Sequence, residues 1–202
     1  MTSFCLWTVL VRLVDVEAIG PRGSTVGFST FNGIVHKITG VNWYLYTVTD
    51  WLGLVPIAVA MGFAIFGLWQ WIRRKSIARV DRSILVLGGF YVAVVAVYLL
   101  FETVVINYRP VLIEGYLEAS YPSSTTMLVM CVMPTTAMQL HARIKRNSLR
   151  RWAVLVTIAF MLFMVIGRLL SGVHWVTDIL GGILLSAGLV CLYDAFAENA
   201  KR

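Results

Sequence analysis

Residues able to do chemistry are conspicuous in this sequence because most of their neighbours are aliphatic. The stretch Gly167-Arg168-Leu169-Leu170-Ser171-Gly172-Val173-His174-Trp175-Val176-Thr177-Asp178 carries an arginine, a histidine and an aspartate. At helical or near-helical spacing His174 and Asp178 share a face. The carboxylate then holds one ring nitrogen as N–H and leaves the other as a nucleophile or base. Arg168, and Arg109 just ahead of Pro110, each offer a guanidinium suited to forked contacts with phosphate oxygens. The stretch Tyr121-Pro122-Ser123-Ser124-Thr125-Thr126 opens another apolar run. Proline suits the first helical position, and the unpaired amides that follow bind anions, with the hydroxyls of Ser123, Ser124 and Thr125 as further donors. Each feature alone has a plainer reading: a structural histidine, an interfacial anchor, a capped helix. Together with Glu102 they form an ionisable cluster at membrane depth, which is costly unless it serves a function. The chemistry they suit is the capture of a phosphate group.

The elements that must position these residues are membrane helices. Of 202 residues 59% are hydrophobic and 13% charged, against about 25% charged in a soluble domain, and mean hydropathy is +0.80. An ordinary soluble domain is excluded. Runs of roughly 20 apolar residues, enough to cross a bilayer, are expected at Trp51–Ile72, Ser83–Ile106, Pro122–Leu140, Trp152–Leu170 and Val176–Tyr193, with Thr49 or Asp50 capping the first of them. The net charge of +7 is gathered in short clusters, Arg73 to Arg82 and Arg143 to Arg151, between those runs. That placement reads as a topology signal and not as a nucleic-acid surface: both loops are expected on the cytoplasmic side. The loops after Ile106 and Leu170 then face outward together, which brings the chemistry to one extracytoplasmic surface. Cys5, Cys131 and Cys191 sit in apolar segments without metal-ligand spacing and read as small hydrophobes.

Residues 1–46 are expected to supply a short first span over Phe4–Val14 and an outer amphipathic helix, ahead of a core bundle over 47–202 in a single membrane domain. In that outer helix Phe28, Phe31, Ile34, Val35 and Ile38 recur at helical spacing, and a helix packed over the bundle fits the same pattern. His36, on this segment, is a candidate proton-transfer group if the helix folds over the pocket.

These residues resemble the type 2 phosphatidic acid phosphatase family, whose membrane members dephosphorylate lipid phosphates. The family pattern is a lysine, six residues, Arg-Pro; then Pro-Ser-Gly-His; then Ser-Arg, five residues, His, three residues, Asp. Arg109-Pro110, Pro122-Ser123, and Arg168, His174 and Asp178 at full spacing match it. The resemblance implies an all-α, acid phosphatase/haloperoxidase-like bundle of about six transmembrane helices, with the site at the outer leaflet and no metal or cofactor. It also implies a phosphohistidine mechanism. His174 attacks phosphorus, Asp178 orients it, and Arg109, Arg168 and the amides near Ser123 hold the phosphoryl oxygens.

Two positions depart from the pattern: the lysine is Glu102 and the acid histidine is Thr125. On a continuing helix Glu102 pairs with Arg109 and modulates the site. A positioned general acid contributes roughly 10²–10⁴ in rate, and its loss hurts most when the leaving group is an alkoxide. A lipid (polyprenyl) diphosphate is therefore the favoured substrate over a lipid monophosphate. The alternative is a weak or inactive member that binds phosphorylated headgroups. A transporter fits less well, since its charges would lie near the midplane.

Overall fold

The long apolar runs fold as long helices. In the computed structural model, which describes residues 1–199, α1 covers Thr2–Leu13, α2 Ser29–Thr39, α3 Trp43–Leu52 and α4 Leu54–Arg74. Helices α5 (Arg82–Thr103), α6 (Ser124–Arg143), α7 (Asn147–Leu170) and α8 (Val176–Asn199) follow. The architecture is an all-α, polytopic membrane bundle. Residues 43–74 and helices α5, α7 and α8 are long and apolar enough to cross a bilayer on their own.

Helix α6 is the central element. Its 20 residues, at about 1.5 Å each, match a hydrocarbon core of roughly 30 Å, yet it carries Thr126, Thr135, Thr136 and Gln139, all buried. Packing against α4, α5, α7 and α8 shields these polar groups from lipid. The Thr135 and Thr136 hydroxyls donate to the carbonyls of Cys131 and Val132 one turn back, at 2.8 and 2.7 Å. Met127 and Cys131 of α6 join Leu87, Phe90 and Val94 of α5 and Leu185 of α8 in the main apolar core.

Several expected boundaries shift. The helix expected from Trp51 starts at Trp43, where the Asn42 side chain accepts from the Leu45 amide. Thr49 and Asp50 are therefore inside a helix and cap nothing. Pro56, in the first turn of α4, cannot donate to residue 52 and crowds its carbonyl, which separates α3 from α4 at Gly53. Helix α1 has 12 residues, about 18 Å of rise against roughly 30 Å of hydrocarbon, shorter than a helix needs to cross on its own. It lies along the first half of α8, with Met1 against Gly188 and the Trp7 indole donating to the Thr177 carbonyl at 3.2 Å. Helix α2 seats its polar side inward. Asn32 is buried and donates to Thr177 Oγ1 at 2.9 Å, while Phe31, Ile34 and Ile38 face outward.

Asp81 joins the two basic loops at one end of the bundle. Its carboxylate meets Arg74 at 2.8 Å, Arg143 at 3.1 Å and the Gln70 amide at 2.8 Å. These partners, Arg74 and Gln70 foremost, pull its pKa down to about 2. The candidate site is at the other end.

Candidate functional site

Three segments build the site. The first is the chain between α7 and α8. Ser171 closes α7, and Gly172 turns with φ +67°, a left-handed conformation that suits glycine. A Cβ there would strike the Gly40 carbonyl. This turn places Arg168, the last buried residue of α7, and His174, ahead of α8, on one side. Asp178 lies in the first turn of α8 and accepts from the Trp175 amide at 3.0 Å, the side-chain half of a capping box. Its other oxygen accepts from Asn107 at 3.1 Å.

The second segment follows α5, which stops at Thr103 rather than near Ile106. Residues 107–120 then fold as a short antiparallel hairpin, with Tyr108 opposite Ala119 and Ile113 opposite Tyr116. Its turn is Glu114-Gly115, both at positive φ, the requirement of a tight two-residue hairpin. The hairpin carries Asn107, Arg109, Glu118 and Ser120. It is tied to α8 by the Trp175 indole, which donates to the Tyr108 carbonyl at 2.7 Å.

The third segment is the start of α6. Ser123 is the helix cap: its Oγ accepts from the Thr126 amide at 3.5 Å, and its own N–H donates to the Asp178 carbonyl at 3.1 Å. Pro122 therefore precedes the cap instead of opening the helix. The amides of Ser124 and Thr125, the first of α6, have no acceptor among the described residues.

These segments converge. His174, Asp178 and Arg168 are buried, and Arg109 nearly so. Arg109 Nη1 is 3.2 Å from His174 Nε2, and His174 Nδ1 faces Asp178 Oδ2 at 3.9 Å, a charge contact longer than a hydrogen bond. Burial, reinforced by the two guanidinium charges, pushes the His174 pKa well below its usual 6.5, so the imidazole is neutral and Nε2 is its nucleophilic face. Arg168 lies over the Tyr46 ring, 5.0 Å from its centre. The Nε atoms of Arg109 and Arg168 have no hydrogen-bond acceptor among the described residues. The set can bind a tetrahedral oxyanion against a neutral imidazole.

Three expectations change. Glu102 does not pair with Arg109, because the chain leaves the helix after Thr103. Arg109 instead meets Glu118, its neighbour across the hairpin, at 3.0 Å from Nε to Oε2. Glu102 lines a small cleft of about 10 Å³ together with Tyr98, Ser120, Ser124 and His174. Thr125 lies toward Gly53, at the junction of α3 and α4, away from that cleft. His36 packs against Trp175, with ring centres 5.4 Å apart, so α2 covers the Trp175 side of the loop. Burial lowers the His36 pKa.

Sequence reasoning missed the groups that hold the expected ones. Asn107 supports Asp178, Glu118 meets Arg109, and Thr49 and Asp50 meet Arg168 at 3.4 and 3.6 Å. Away from these residues an apolar cleft of about 790 Å³ runs between α4 and α5 to Ile77 and Val80 near the basic end, with Leu128 and Val132 of α6 in its wall.

Comparison with known proteins bears on the family and the fold. Phosphatidylglycerophosphatase B of Bacillus subtilis (strain 168) is 36% identical over 84 residues, 41% of this chain and 41% of that protein. The match thus spans about two fifths of that relative's length. The crystal structure of a transmembrane PAP2-type phosphatidylglycerolphosphate phosphatase from Bacillus subtilis superposes with a TM-score of 0.69. It covers 100% of this chain and 97% of that one at 21% identity, a likeness of fold. The family model of the PAP2 superfamily matches residues 101–202, the half of the sequence that holds Arg109, Arg168, His174 and Asp178. The chain belongs to the PAP2 superfamily, the type 2 phosphatidic acid phosphatases that its motifs resemble.

Proposed function

We propose that the protein is a membrane lipid phosphatase working through a phosphohistidine. The observation that carries this reading is Arg109 Nη1 at 3.2 Å from His174 Nε2, with the buried Nε atoms of Arg109 and of Arg168 still lacking an acceptor. Buried donors in that condition are rare and costly, and a phosphoryl group satisfies them.

In this mechanism His174 Nε2 forms a bond to phosphorus as the bond to the leaving oxygen breaks. Asp178, opposite Nδ1, stabilises the imidazolium charge that develops. Arg109, Arg168 and the Ser124 and Thr125 amides hold the equatorial oxygens, where their attraction grows as charge shifts. Water then attacks phosphorus, releases inorganic phosphate and restores the neutral imidazole. The residues require no metal for these steps.

A phosphorylated lipid is the substrate class, and the bilayer is its solvent. The name of the Bacillus relative points to a lipid phosphomonoester. The lack of an imidazole at Thr125 points further, to a diphosphate, whose departing phosphate needs little protonation. The basic loops around Asp81 are expected in the cytoplasm, which puts the site on the extracytoplasmic side. The same departures at Glu102 and Thr125 favour one second reading, a member that binds phosphorylated headgroups and turns them over slowly.

The test is inorganic phosphate release by the reconstituted protein from phosphatidic acid, phosphatidylglycerol phosphate and a polyprenyl diphosphate. Release that disappears in His174→Ala supports the enzyme. Absence of release from every substrate, or release that His174→Ala leaves intact, contradicts it.

A further inference from the structure

Each site arginine is met by one carboxylate that lies outside the motif pattern. Glu118 faces Arg109 across the hairpin, with the Arg109 amide donating to the Glu118 carbonyl at 3.0 Å and Oε2 also 3.0 Å from Nε. Asp50 faces Arg168 Nη1 at 3.6 Å. In both pairs the guanidinium is buried and the carboxylate open: 10% against 42% exposed for Arg109 and Glu118, and 2% against 57% for Arg168 and Asp50. Neither carboxylate hydrogen-bonds its arginine. Glu118 lies off the Nε–H direction, which leaves Nε unsatisfied, and 3.6 Å is too long.

Such pairs neutralise charge without locking geometry. Two guanidinium groups buried beside a neutral imidazole need counter-charge, but a half-exposed carboxylate without hydrogen-bond alignment grips weakly. We propose that Glu118 and Asp50 are resident counter-ions, which Arg109 and Arg168 exchange for phosphoryl oxygens when substrate binds and take back when inorganic phosphate leaves. They are positioning residues, and their benefit is at product release: without them phosphate would be held too tightly. This inference rests on the phosphate-site reading above.

The counter-ion role predicts a sign that a structural brace does not. Removing a competing carboxylate should tighten oxyanion binding, whereas removing a brace should loosen it. The probe is orthovanadate, measured by its protection of the full-length protein in detergent against thermal unfolding. Glu118→Gln and Asp50→Asn should each bind orthovanadate about two- to fivefold more tightly than wild type, and the double variant tighter still. Inorganic phosphate should inhibit both variants at correspondingly lower concentration. Melting without anion checks the fold, and Asp50→Asn, on an open helix surface, gives a second arm if the hairpin variant is unstable. Unchanged or weaker vanadate binding in both variants overturns the counter-ion role while leaving the phosphate site standing. If wild type binds no vanadate and Arg168→Ala changes nothing, the phosphate site falls, and the counter-ion role with it.

Discussion

The two ends of the bundle hold the same ingredients, arginines with a carboxylate, in opposite conditions. At the basic end Asp81 receives Arg74, Arg143 and Gln70 at 2.8 to 3.1 Å, and Arg143 in turn reaches Ser83 and Gln139. At the site end Asp50 stands 3.6 Å from Arg168 and Asp178 3.9 Å from His174, Glu118 comes within 3.0 Å of Arg109 without hydrogen-bond alignment, and arginine Nε atoms go without acceptors. A fully satisfied network fixes a loop-to-helix junction. An under-satisfied one keeps binding capacity in reserve, at a cost that burial makes large. The difference separates scaffold from site more clearly than residue type does.

That contrast is open to direct attack. Arg168→Ala should lower turnover by about 10²–10³-fold, the usual cost of removing one preorganised donor to a developing oxyanion, with little change in melting temperature. A drop in stability with turnover preserved would assign Arg168 to scaffold. Restoring the family residues, Glu102→Lys with Thr125→His, should raise phosphomonoester turnover by up to about 10²-fold and change diphosphate turnover much less. Equal gains on both substrates would show that leaving-group protonation is not what the natural sequence lacks. Activity seen only in that double variant would favour the headgroup-binding reading.

Asp81→Asn should do the reverse of Arg168→Ala. It should cost about 1.5–3 kcal/mol of stability, the range for hydrogen bonds to a charged group, and leave turnover unchanged. Its stabilising effect should also fade as pH falls from the unfolded carboxyl value toward about 2, where the folded-state group titrates. The smallest effect concerns His174. Its folded-state pKa lies below the unfolded 6.5, so the unfolded chain binds more protons in that window, and stability should decline as pH drops below about 6.5. Turnover should not show an acid limb near pH 6.5, because the nucleophile remains neutral there. A pH–rate profile that breaks at 6.5 would mean a solvated histidine.

Much of this was legible in the sequence where spacing is local. His174, Asp178 and Arg168 fall within one turn-and-helix unit, so their meeting follows from a short count, and the apolar runs predict α5 to α8 to within a few residues at most starts. The hairpin was not legible. Its turn is Glu-Gly, not the Asn-Gly or Asp-Gly that marks a two-residue hairpin, and its sides are too short to show alternation. Glu118, Asn107 and Ser120 were therefore hidden along with it. Asp50 was missed for another reason. In the sequence it sits where a helix cap is expected, and only the longer α3, started by Asn42, turns it toward a residue 118 positions later. Helix α1 misleads by composition, since its apolar residues suggest a span that its length does not provide.

The most direct test of the account is a single-turnover reaction of the reconstituted protein with a lipid substrate carrying ³²P in the phosphoryl group that is transferred. Rapid denaturation under alkaline conditions would follow, and the label would then be located along the chain. The account predicts an acid-labile, base-stable phosphoryl group on His174 and nowhere else. Inorganic phosphate formed with no label ever appearing on His174 would contradict it.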